Sequence, residues 1–322
     1  MFRVLLSVIL ASFLFSFVSA QQDVTVAKDG TGKYSSVQQA FDAIAPENKK
    51  PITIYIKNGI YKEKLHLDSS KNFITIIGED KFKTILTYDD HTGKVTRNGD
   101  TINTRTSASF LVLGDYFTAE NVTIQNDAGF TAGQAVALES DGDKAQFFNC
   151  RLIGFQDVLF TNNELSRQYY KDCYIEGATD FIFGSATVWF ERCHIHSKKN
   201  SHVTAASTPK DHPFGYVFDN CILTGDSSLR NVSLGRPWRP FASVIYMHCF
   251  FGPQIKPEGW RNWNKTDNYK TTRFSEYENY GPGAEVNARV SWSVQLNDAD
   301  ANKLTISNVF DGWQPKDCNF KM

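Results

Sequence analysis

One short phrase recurs five times between residues 145 and 252, and it restricts the fold more than any other feature of the sequence. Each copy has an aromatic or apolar residue, two or three mixed residues, a cysteine, one further residue and then an apolar residue. Successive cysteines are separated by 23, 20, 28 and 28 residues; they are Cys150, Cys173, Cys193, Cys221 and Cys249. The copies lack helical periodicity and consist of short β-branched and aromatic runs between Gly, Asn and Asp. Stacked repeats of this kind predict an all-β solenoid, a right-handed parallel β-helix in which each coil hydrogen-bonds to the next.

The repeat also bears on the state of the cysteines. In a β-helix the five cysteines would form a column of small buried side chains. Adjacent thiols in such a column could form disulfides, as an exported protein permits, but we expect them to be free. We interpret residues 117–126 as an earlier copy with Asn121 at the cysteine position. Cys318 lies outside the column and is not assigned.

Both ends of a β-helix leave strand edges open, and these edges need protection. The segment YSSVQQAFDAI, residues 34–44, predicts a short N-terminal capping helix, in which Ser35 and Gln38 would form a capping box. Its apolar residues fall at helical spacing: Val37, Ala40, Phe41 and Ile44. We expect the C-terminal tail, residues 298–313, to fold back as a short helix and a loop.

The first 20 residues have the pattern of a cleavable secretory signal. Arg3 is followed by an apolar run that ends in small residues, with cleavage expected after Ala20. The alternative, a membrane anchor, is less well supported, because no charged residue follows the run directly. Residues 21–322 contain no evident linker or second domain. We therefore expect residues 21–322 to form one secreted domain that does not enter the membrane, and we expect this domain to be a monomer.

Charge and histidine spacing narrow the possible ligands. The net charge is −1 and the sequence pI is about 6.7, which does not favour nucleic acid or an anionic membrane as a partner. The seven histidines show no metal-ligand spacing, so we expect neither a metal nor another cofactor.

Two aspartates in apolar surroundings are the strongest candidates for chemistry. Asp157 and Asp180 each follow the cysteine of their own copy by seven residues. Equal offsets in successive coils would stack the two carboxylates about 5 Å apart. Counted backwards from the next cysteine, Gln134 matches Asp157, and Arg236 matches Asp180. The counting therefore predicts a face that carries two carboxylates, an amide and a guanidinium.

Two close carboxylates are not easily ionised together, and partial burial strengthens this effect. We expect one to hold a proton near neutral pH, while Arg236 keeps the other charged. An acid beside a nucleophile suits covalent catalysis at a carbonyl or an anomeric carbon. Either aspartate alone would more often be a turn residue, but the shared offset and the polar neighbours favour a catalytic pair.

Four sequence blocks resemble, in order, the signature blocks of the pectinesterases (pectin methylesterases). They are GQAVAL at 133–138, GFQDVLF at 154–160, DFIFG at 180–184 and LGRPW at 234–238. The likeness extends from residue 29 to residue 313, and it implies the same right-handed parallel β-helix. It also implies a secreted enzyme that hydrolyses the C6 methyl esters of homogalacturonan, releasing pectate and methanol.

The resemblance also implies a role for each matching residue. Asp180 matches the nucleophile that forms a covalent aspartyl-acyl intermediate, and Asp157 matches the general acid and base. Gln134 and Gln156 match the amides that stabilise the tetrahedral oxyanion, and Arg236 matches the arginine that orients the nucleophile.

Aromatic residues near the blocks are candidates for the substrate-binding cleft. Trp238 and Trp260 match aromatic walls of the family's cleft. Phe155 and Phe160 are further candidates, although either residue could belong to the core.

Three alternatives stay open at this stage. A pectin-depolymerising β-helix enzyme also uses close carboxylates, but a Gly-His-Gly segment and an acidic calcium cluster are missing from this sequence. An esterase or thioesterase of the same fold could act on a different acyl ester. A non-catalytic binding solenoid would be expected to lack at least one of the five polar groups.

Overall fold

The computed structural model describes residues 22–316, which include 26 strands. In chain order these are β1 Gln22–Val26, β2 Ile52–Ile56, β3 Gly59–Lys62, β4 Leu65–Leu67, β5 Ile74–Gly78, β6 Thr84–Tyr88, β7 Phe110–Val112, β8 Thr118–Glu120, β9 Thr123–Asn126, β10 Leu138–Ser140, β11 Ala145–Phe148, β12 Arg151–Ile153, β13 Leu159–Thr161, β14 Arg167–Lys171, β15 Tyr174–Gly177, β16 Ile182–Gly184, β17 Thr187–Glu191, β18 His194–Ser197, β19 His202–Ala206, β20 Tyr216–Asp219, β21 Ile222–Gly225, β22 Ser233–Gly235, β23 Ser243–Met247, β24 Phe250–Phe251, β25 Arg273–Tyr277 and β26 Val294–Gln295. The helices within the same range are α1 Val37–Asp42, α2 Asp298–Ala301 and α3 Ile306–Val309, with 3₁₀ turns at Arg105–Ser107, Asn268–Lys270 and Val286–Ala288.

The strands form three parallel sheets, and the chain visits each sheet in turn. The eleven-stranded sheet has the order β1-β2-β5-β8-β11-β14-β17-β20-β23-β25-β26. The eight-stranded sheet has the order β3-β6-β9-β12-β15-β18-β21-β24, and the seven-stranded sheet has the order β4-β7-β10-β13-β16-β19-β22. A typical coil runs from β11 through β12 to β13 before β14 starts the next coil. The predicted parallel β-helix is confirmed.

Stacked aromatic rings fill the interior of the coils. One column follows the strand register of the eleven-stranded sheet, and its ring centroids are 4.4–5.0 Å apart; its members are Phe147, Tyr170, Phe190, Phe218 and Tyr246. This distance matches the separation of neighbouring strands, so each ring rests on the ring of the next coil. These rings are the aromatic positions of the repeated phrase.

The five cysteines of the repeat are buried and free, as expected. The Cys150 thiol donates to the carbonyls of Phe148 (3.3 Å) and Ala119 (3.4 Å), and the other four thiols make equivalent contacts. Burial raises the pKa of the Cys150 thiol well above its usual range. Because each thiol is buried and bonded to backbone oxygen, the column acts as a set of small core residues.

The assignment of Asn121 to the cysteine position is wrong by one residue. Pairing of Phe148 with Glu120 and of Arg151 with Thr123 places Asn121 beside Asn149 instead. The Asn149 amide donates to Oδ1 of Asn121 at 3.2 Å. Both asparagines have left-handed backbones, with φ of 57° and 50°, and so do the residues before the other four cysteines. This position is a turn that asparagine tolerates better than most residues.

Helix α1 forms where the apolar spacing predicts it, but its cap differs by one residue. Ser36 is the N-cap, and its hydroxyl accepts a hydrogen bond from the Gln39 amide at 3.3 Å. The capping box at Ser35 and Gln38 is therefore wrong. Phe41 is fully buried, and the helix contacts β1 and β4, which are terminal strands of two sheets. A role in covering the open end of the solenoid stays a prediction.

The tail folds back against the solenoid, as two short helices rather than one. Leu304, Val309 and Phe310 pack on the outer face of the eleven-stranded sheet. The expected signal at residues 1–20 and Cys318 lie outside the described residues. Within residues 22–316, no helix is both apolar enough and long enough to cross a membrane.

Candidate active site

Asp157 and Asp180 occupy equivalent positions in neighbouring coils. Pairing of Leu159 with Ile182 aligns the two aspartates two residues earlier. Their backbones are both left-handed, with φ of 62° and 50°. This turn lies where the chain leaves the eight-stranded sheet and enters the seven-stranded sheet. The stacking agrees with the equal offsets from the cysteines.

Arg236 holds Asp180 in a two-point ion pair. Its Nε donates to Oδ1 at 3.0 Å, and its Nη2 donates to Oδ2 at 2.5 Å. The Asp180 side chain is 7% exposed and the Arg236 side chain is 16% exposed. Such paired bonds fix the direction of a carboxylate as well as its charge. Asp180 is thus oriented with little rotational freedom.

Arg236 reaches Asp180 from a different register than the counting implied. Gly235 pairs with Thr204, which pairs with Ile182, so Arg236 aligns with Phe183 rather than with Asp180. The two residues meet because the long arginine side chain extends back along the sheet. Loops of unequal length between coils explain why counting backwards from cysteines fails here.

The two glutamines lie beside each other on adjacent coils. Gln134 and Gln156 form a parallel bridge, and the Ala135 amide donates to the Gln156 carbonyl at 3.1 Å. The match of Gln134 with Asp157 is therefore also shifted by one residue. The side chain of Gln156 donates a hydrogen bond to Asp157, and both glutamines are partly exposed. Two amide groups thus lie next to the aspartate pair.

Burial and the neighbouring charge determine the ionisation of the two aspartates. Burial, followed by the negative charge of Asp180, raises the pKa of Asp157 well above its usual value. Burial also raises the pKa of Asp180, and the guanidinium of Arg236 acts against that rise. The pair therefore favours a protonated Asp157 beside an Asp180 carboxylate.

The sequence analysis missed a histidine in the next coil. The Asp180 amide donates to the carbonyl of His202 at 2.8 Å, and the His202 ring is hydrogen-bonded to the Ser233 hydroxyl, 2.6 Å away. Burial, with the positive charges of Arg236 and Arg261, lowers the pKa of His202 to about 3. A neutral imidazole therefore continues the column. His202 follows its cysteine by nine residues rather than seven, so the offset did not reveal it.

Trp260 is wrongly predicted as a cleft residue. Its side chain is 0% exposed and lies in the main core, where its indole nitrogen donates to Glu276 at 2.9 Å. The neighbouring tryptophan, Trp263, lies near the site instead, with the Arg236 guanidinium 4.0 Å from its ring centroid. The two tryptophans of WRNW are three residues apart, and in an extended chain this odd spacing turns two side chains to opposite faces. That spacing was the available signal that only one of them faces the core.

The other predicted aromatics lie on the outer surface around the site. Trp238 is partly exposed and contacts Phe183 edge to face at 5.9 Å. Phe160 stacks on the Phe183 ring at 4.3 Å and is 8% exposed, so it packs beneath Phe183 and contributes little exposed surface of its own. Phe155 is partly exposed and meets Phe130 edge to face at 5.5 Å. Trp238 and Trp263 pack on the same cluster as Phe160 and Phe183, and Trp263 contacts Arg236, so aromatic surface adjoins the Arg236–Asp180 pair.

The arrangement suits attack on an ester carbonyl. An oriented carboxylate can act as a nucleophile, a protonated carboxyl one coil away can donate a proton, and two amides can bond a developing oxyanion. In residues 22–316, no group of three or more His, Cys, Asp or Glu side chains is placed to hold a metal ion.

Comparison with known proteins yields one family. The pectinesterase family model matches residues 23–313. Pectinesterase 31 of Arabidopsis thaliana is 38% identical over 298 residues, which are 91% of this chain and 93% of the relative. The solved structure of carrot pectin methylesterase has a TM-score of 0.84 at 30% identity and covers 91% of this chain and 94% of its own.

A second solved structure contains a ligand. It is a pectin methylesterase in complex with a hexasaccharide, with a TM-score of 0.81 at 26% identity, covering 92% of this chain and 99% of its own. The family match over nearly the whole described range agrees with the parallel β-helix and with the four sequence blocks. The chain belongs to the pectinesterase family of carboxylic ester hydrolases.

Proposed function

We propose that this chain is a secreted pectinesterase that hydrolyses the C6 methyl esters of homogalacturonan through a covalent aspartyl intermediate. The observation that carries the proposal is the two-point ion pair of Arg236 with Asp180, with Asp157 stacked one coil away. One carboxylate is directed and charged, while the other is buried and inclined to hold a proton. The substrate follows from the family and from the aromatic surface beside the pair.

In the first half-reaction, an Asp180 oxygen forms a bond to the ester carbonyl carbon. The carbonyl oxygen becomes an oxyanion, which Gln134 and Gln156 stabilise by donating hydrogen bonds. Collapse of this intermediate breaks the bond from the carbon to the methoxy oxygen. Asp157 transfers its proton to that oxygen, so methanol leaves and an acyl-Asp180 anhydride remains.

In the second half-reaction, Asp157 is ionised and acts as a base. It takes a proton from water, and the resulting hydroxide attacks the acyl carbon of the anhydride. Collapse breaks the bond to Asp180, which returns as a carboxylate paired with Arg236. The product is a free galacturonic acid group, and Asp157 is protonated again, ready for another turnover.

Methanol release from highly methylated pectin tests the proposal. Wild type should release methanol without shortening the polymer, and Asp180→Asn should lose about 10³-fold or more in kcat, as expected when a nucleophile is removed. Asp157→Asn should also be strongly impaired. Asn tolerates the left-handed backbone at both sites, so the variants should fold. Wild-type turnover by Asp180→Asn, or loss of polymer length in place of methanol release, would contradict the proposal.

A further inference from the structure

A second surface of the solenoid carries a groove that the proposed reaction does not use. The groove lies on the outer face of the eight-stranded sheet and has a volume of about 480 Å³. It is lined by basic and aromatic side chains together with Asp172, Cys173 and His194; the basic and aromatic ones are Lys81, Phe82, Arg151, Tyr174 and Arg192.

Arg151 is the central cation of this groove. Its guanidinium carbon is 5.0 Å from the centre of the Phe82 ring and 5.7 Å from that of the Tyr174 ring. Its Nη1 donates to the Thr123 hydroxyl at 3.3 Å. Among the described residues, no carboxylate lies within 4.0 Å of this guanidinium. Two aromatic rings and a hydroxyl therefore orient an arginine whose charge is not neutralised.

Lys81 adds a second positive charge that forms no ion pair among the described residues, since the neighbouring Asp80 pairs with Lys83 at 3.3 Å. Its ammonium group donates to Oδ1 of Asn149 and lies 5.5 Å from the Phe82 ring. In contrast, Arg192 is bound at two points by Asp172, at 2.9 Å for each bond. Arg192 also donates to Glu191, so its charge is neutralised, and the two cations of the groove without an ion pair are Arg151 and Lys81.

A planar guanidinium held open between rings is suited to a carboxylate, which it can bind through two parallel hydrogen bonds. Exposed aromatic faces are suited to the apolar faces of sugar rings, and Phe82 is 63% exposed. A polymer that combines sugar rings with one carboxylate per residue matches both features. De-esterified homogalacturonan, the product of the proposed reaction, is such a polymer.

We propose that this groove is a second binding site for the de-esterified stretches of the polymer. The proposal rests on the proposed function, because it takes the product of that reaction as its ligand. Arg151 and Asp157 belong to the same coil, six residues apart, so the two sites are separated by at most about 22 Å of backbone. A long chain held at the groove raises the effective concentration of its remaining esters at the aspartate pair.

The test measures binding of fully de-esterified polygalacturonate at low ionic strength, with fully methylated pectin and dextran sulfate as comparison ligands. Arg151→Gln should weaken binding of polygalacturonate about fivefold or more, the loss expected for a charge-assisted contact. Lys81→Gln should weaken it by a smaller factor. The matched control is Lys210→Gln, which removes an exposed lysine that, like Lys81, lies over a phenylalanine ring, at 5.9 Å.

Turnover measurements separate this proposal from the proposed function. Arg151→Gln should keep the wild-type kcat on a fully methylated galacturonate trimer, which has no de-esterified stretch for the groove to bind, and should show a higher KM on long, partly de-esterified pectin. If wild type releases no methanol from pectin, the proposed function fails whatever the binding result.

If wild type releases methanol but the second site is absent, the binding results will show it. Unchanged binding of polygalacturonate by both Arg151→Gln and Lys81→Gln overturns the second site. An equal loss in Lys210→Gln, or equally strong Arg151-dependent binding of dextran sulfate, shows only general attraction of polyanions and overturns it as well. Lys81→Gln decides the matter if Arg151→Gln does not fold.

Discussion

At the scale of single residues, the proposed mechanism makes the pH range of activity depend on the ionisation of the aspartate pair. The proposed mechanism requires a protonated Asp157 and an ionised Asp180. Burial and the charge of Asp180 raise the pKa of Asp157, so activity should fall on the alkaline side as that proton is lost. On the acid side, activity should fall as Asp180 becomes protonated. Because burial raises the pKa of Asp180 too, this acid limb should lie above the range of an ordinary aspartate.

Arg236→Gln should shift that acid limb. The guanidinium lowers the pKa of Asp180, so its removal should let that pKa rise further and should move the acid limb of kcat/KM to higher pH. At neutral pH the loss of orientation should also reduce kcat/KM by about 10²-fold or more. Profiles of initial rate against pH measure both effects. Arg230→Gln, which removes an exposed arginine, is the control and should keep the wild-type profile. An unshifted acid limb in Arg236→Gln would show that Asp180 is not the titrating group.

Two tryptophans with similar sequence surroundings should respond in opposite ways. Trp238→Ala should raise the KM for pectin about tenfold and leave the urea midpoint nearly unchanged, because its ring is partly exposed beside the site. Trp260→Ala should lower the free energy of unfolding by about 3–5 kcal/mol, because its ring is fully buried. Urea unfolding and pectin kinetics on both variants test this contrast. A stable Trp260→Ala enzyme with a raised KM would restore the original assignment of Trp260 to the cleft.

At the scale of secondary-structure elements, the repeat predicts which elements each coil contains but not which residues pair between neighbouring coils. The cysteine phrase predicts a strand, a turn and a second strand in each coil, and the structure has these elements. The phrase does not fix the position of the turn to the exact residue. An error of one residue matters, because it exchanges the side chains that face inwards for those that face outwards. Asn121 shows this: it aligns with Asn149 and not with Cys150. Only hydrogen-bond register resolves such a shift.

The same limit explains which parts of the site the sequence could predict. Asp157 and Asp180 are separated by one coil without a change of turn length, so their equal offsets were informative. His202 lies one coil after Asp180, beyond a longer turn, and Arg236 lies two coils after Asp180, so counting failed for both. Arg236 was assigned its role from its match to a family block and not from strand register. Side-chain reach, which counting ignores, brings that residue to Asp180.

The cysteine column predicts how the thiols react. All five thiols are buried and bonded to carbonyls, and burial raises the pKa of Cys173, as it does for Cys150. In a Cys318→Ser variant, a thiol reagent should therefore modify less than one thiol per native chain and five after denaturation in guanidinium. Absorbance of the released chromophore counts them. Rapid modification of any thiol in the native state would mean that the column opens locally.

At the scale of the whole molecule, the tail completes the surface of the solenoid. The outer face of the eleven-stranded sheet carries a stripe of buried apolar residues: Phe148, Tyr169, Trp189, Val217, Ile245 and Met247. Such a stripe would be exposed on a bare solenoid, and α2 and α3 bring Leu304, Val309 and Phe310 onto it. The sequence indicated that the tail folds back. It could not indicate the face, because both the inner and outer positions of these strands are apolar.

Phe310→Ala tests whether the tail supports the solenoid without taking part in catalysis. The Phe310 ring is 0% exposed, so its truncation should lower the free energy of unfolding by about 3–5 kcal/mol. Leu165→Ala is the control: that side chain is 72% exposed, and its loss should change stability by less than about 0.5 kcal/mol. Because the aspartate pair lies between the other two sheets, kcat on pectin at low temperature should stay within about twofold of wild type in both variants. Urea unfolding and methanol release give the two readings. If Phe310→Ala is as stable as wild type, the tail does not stabilise the sheet that it covers. A large fall in kcat would instead show that the tail affects the site through the coils.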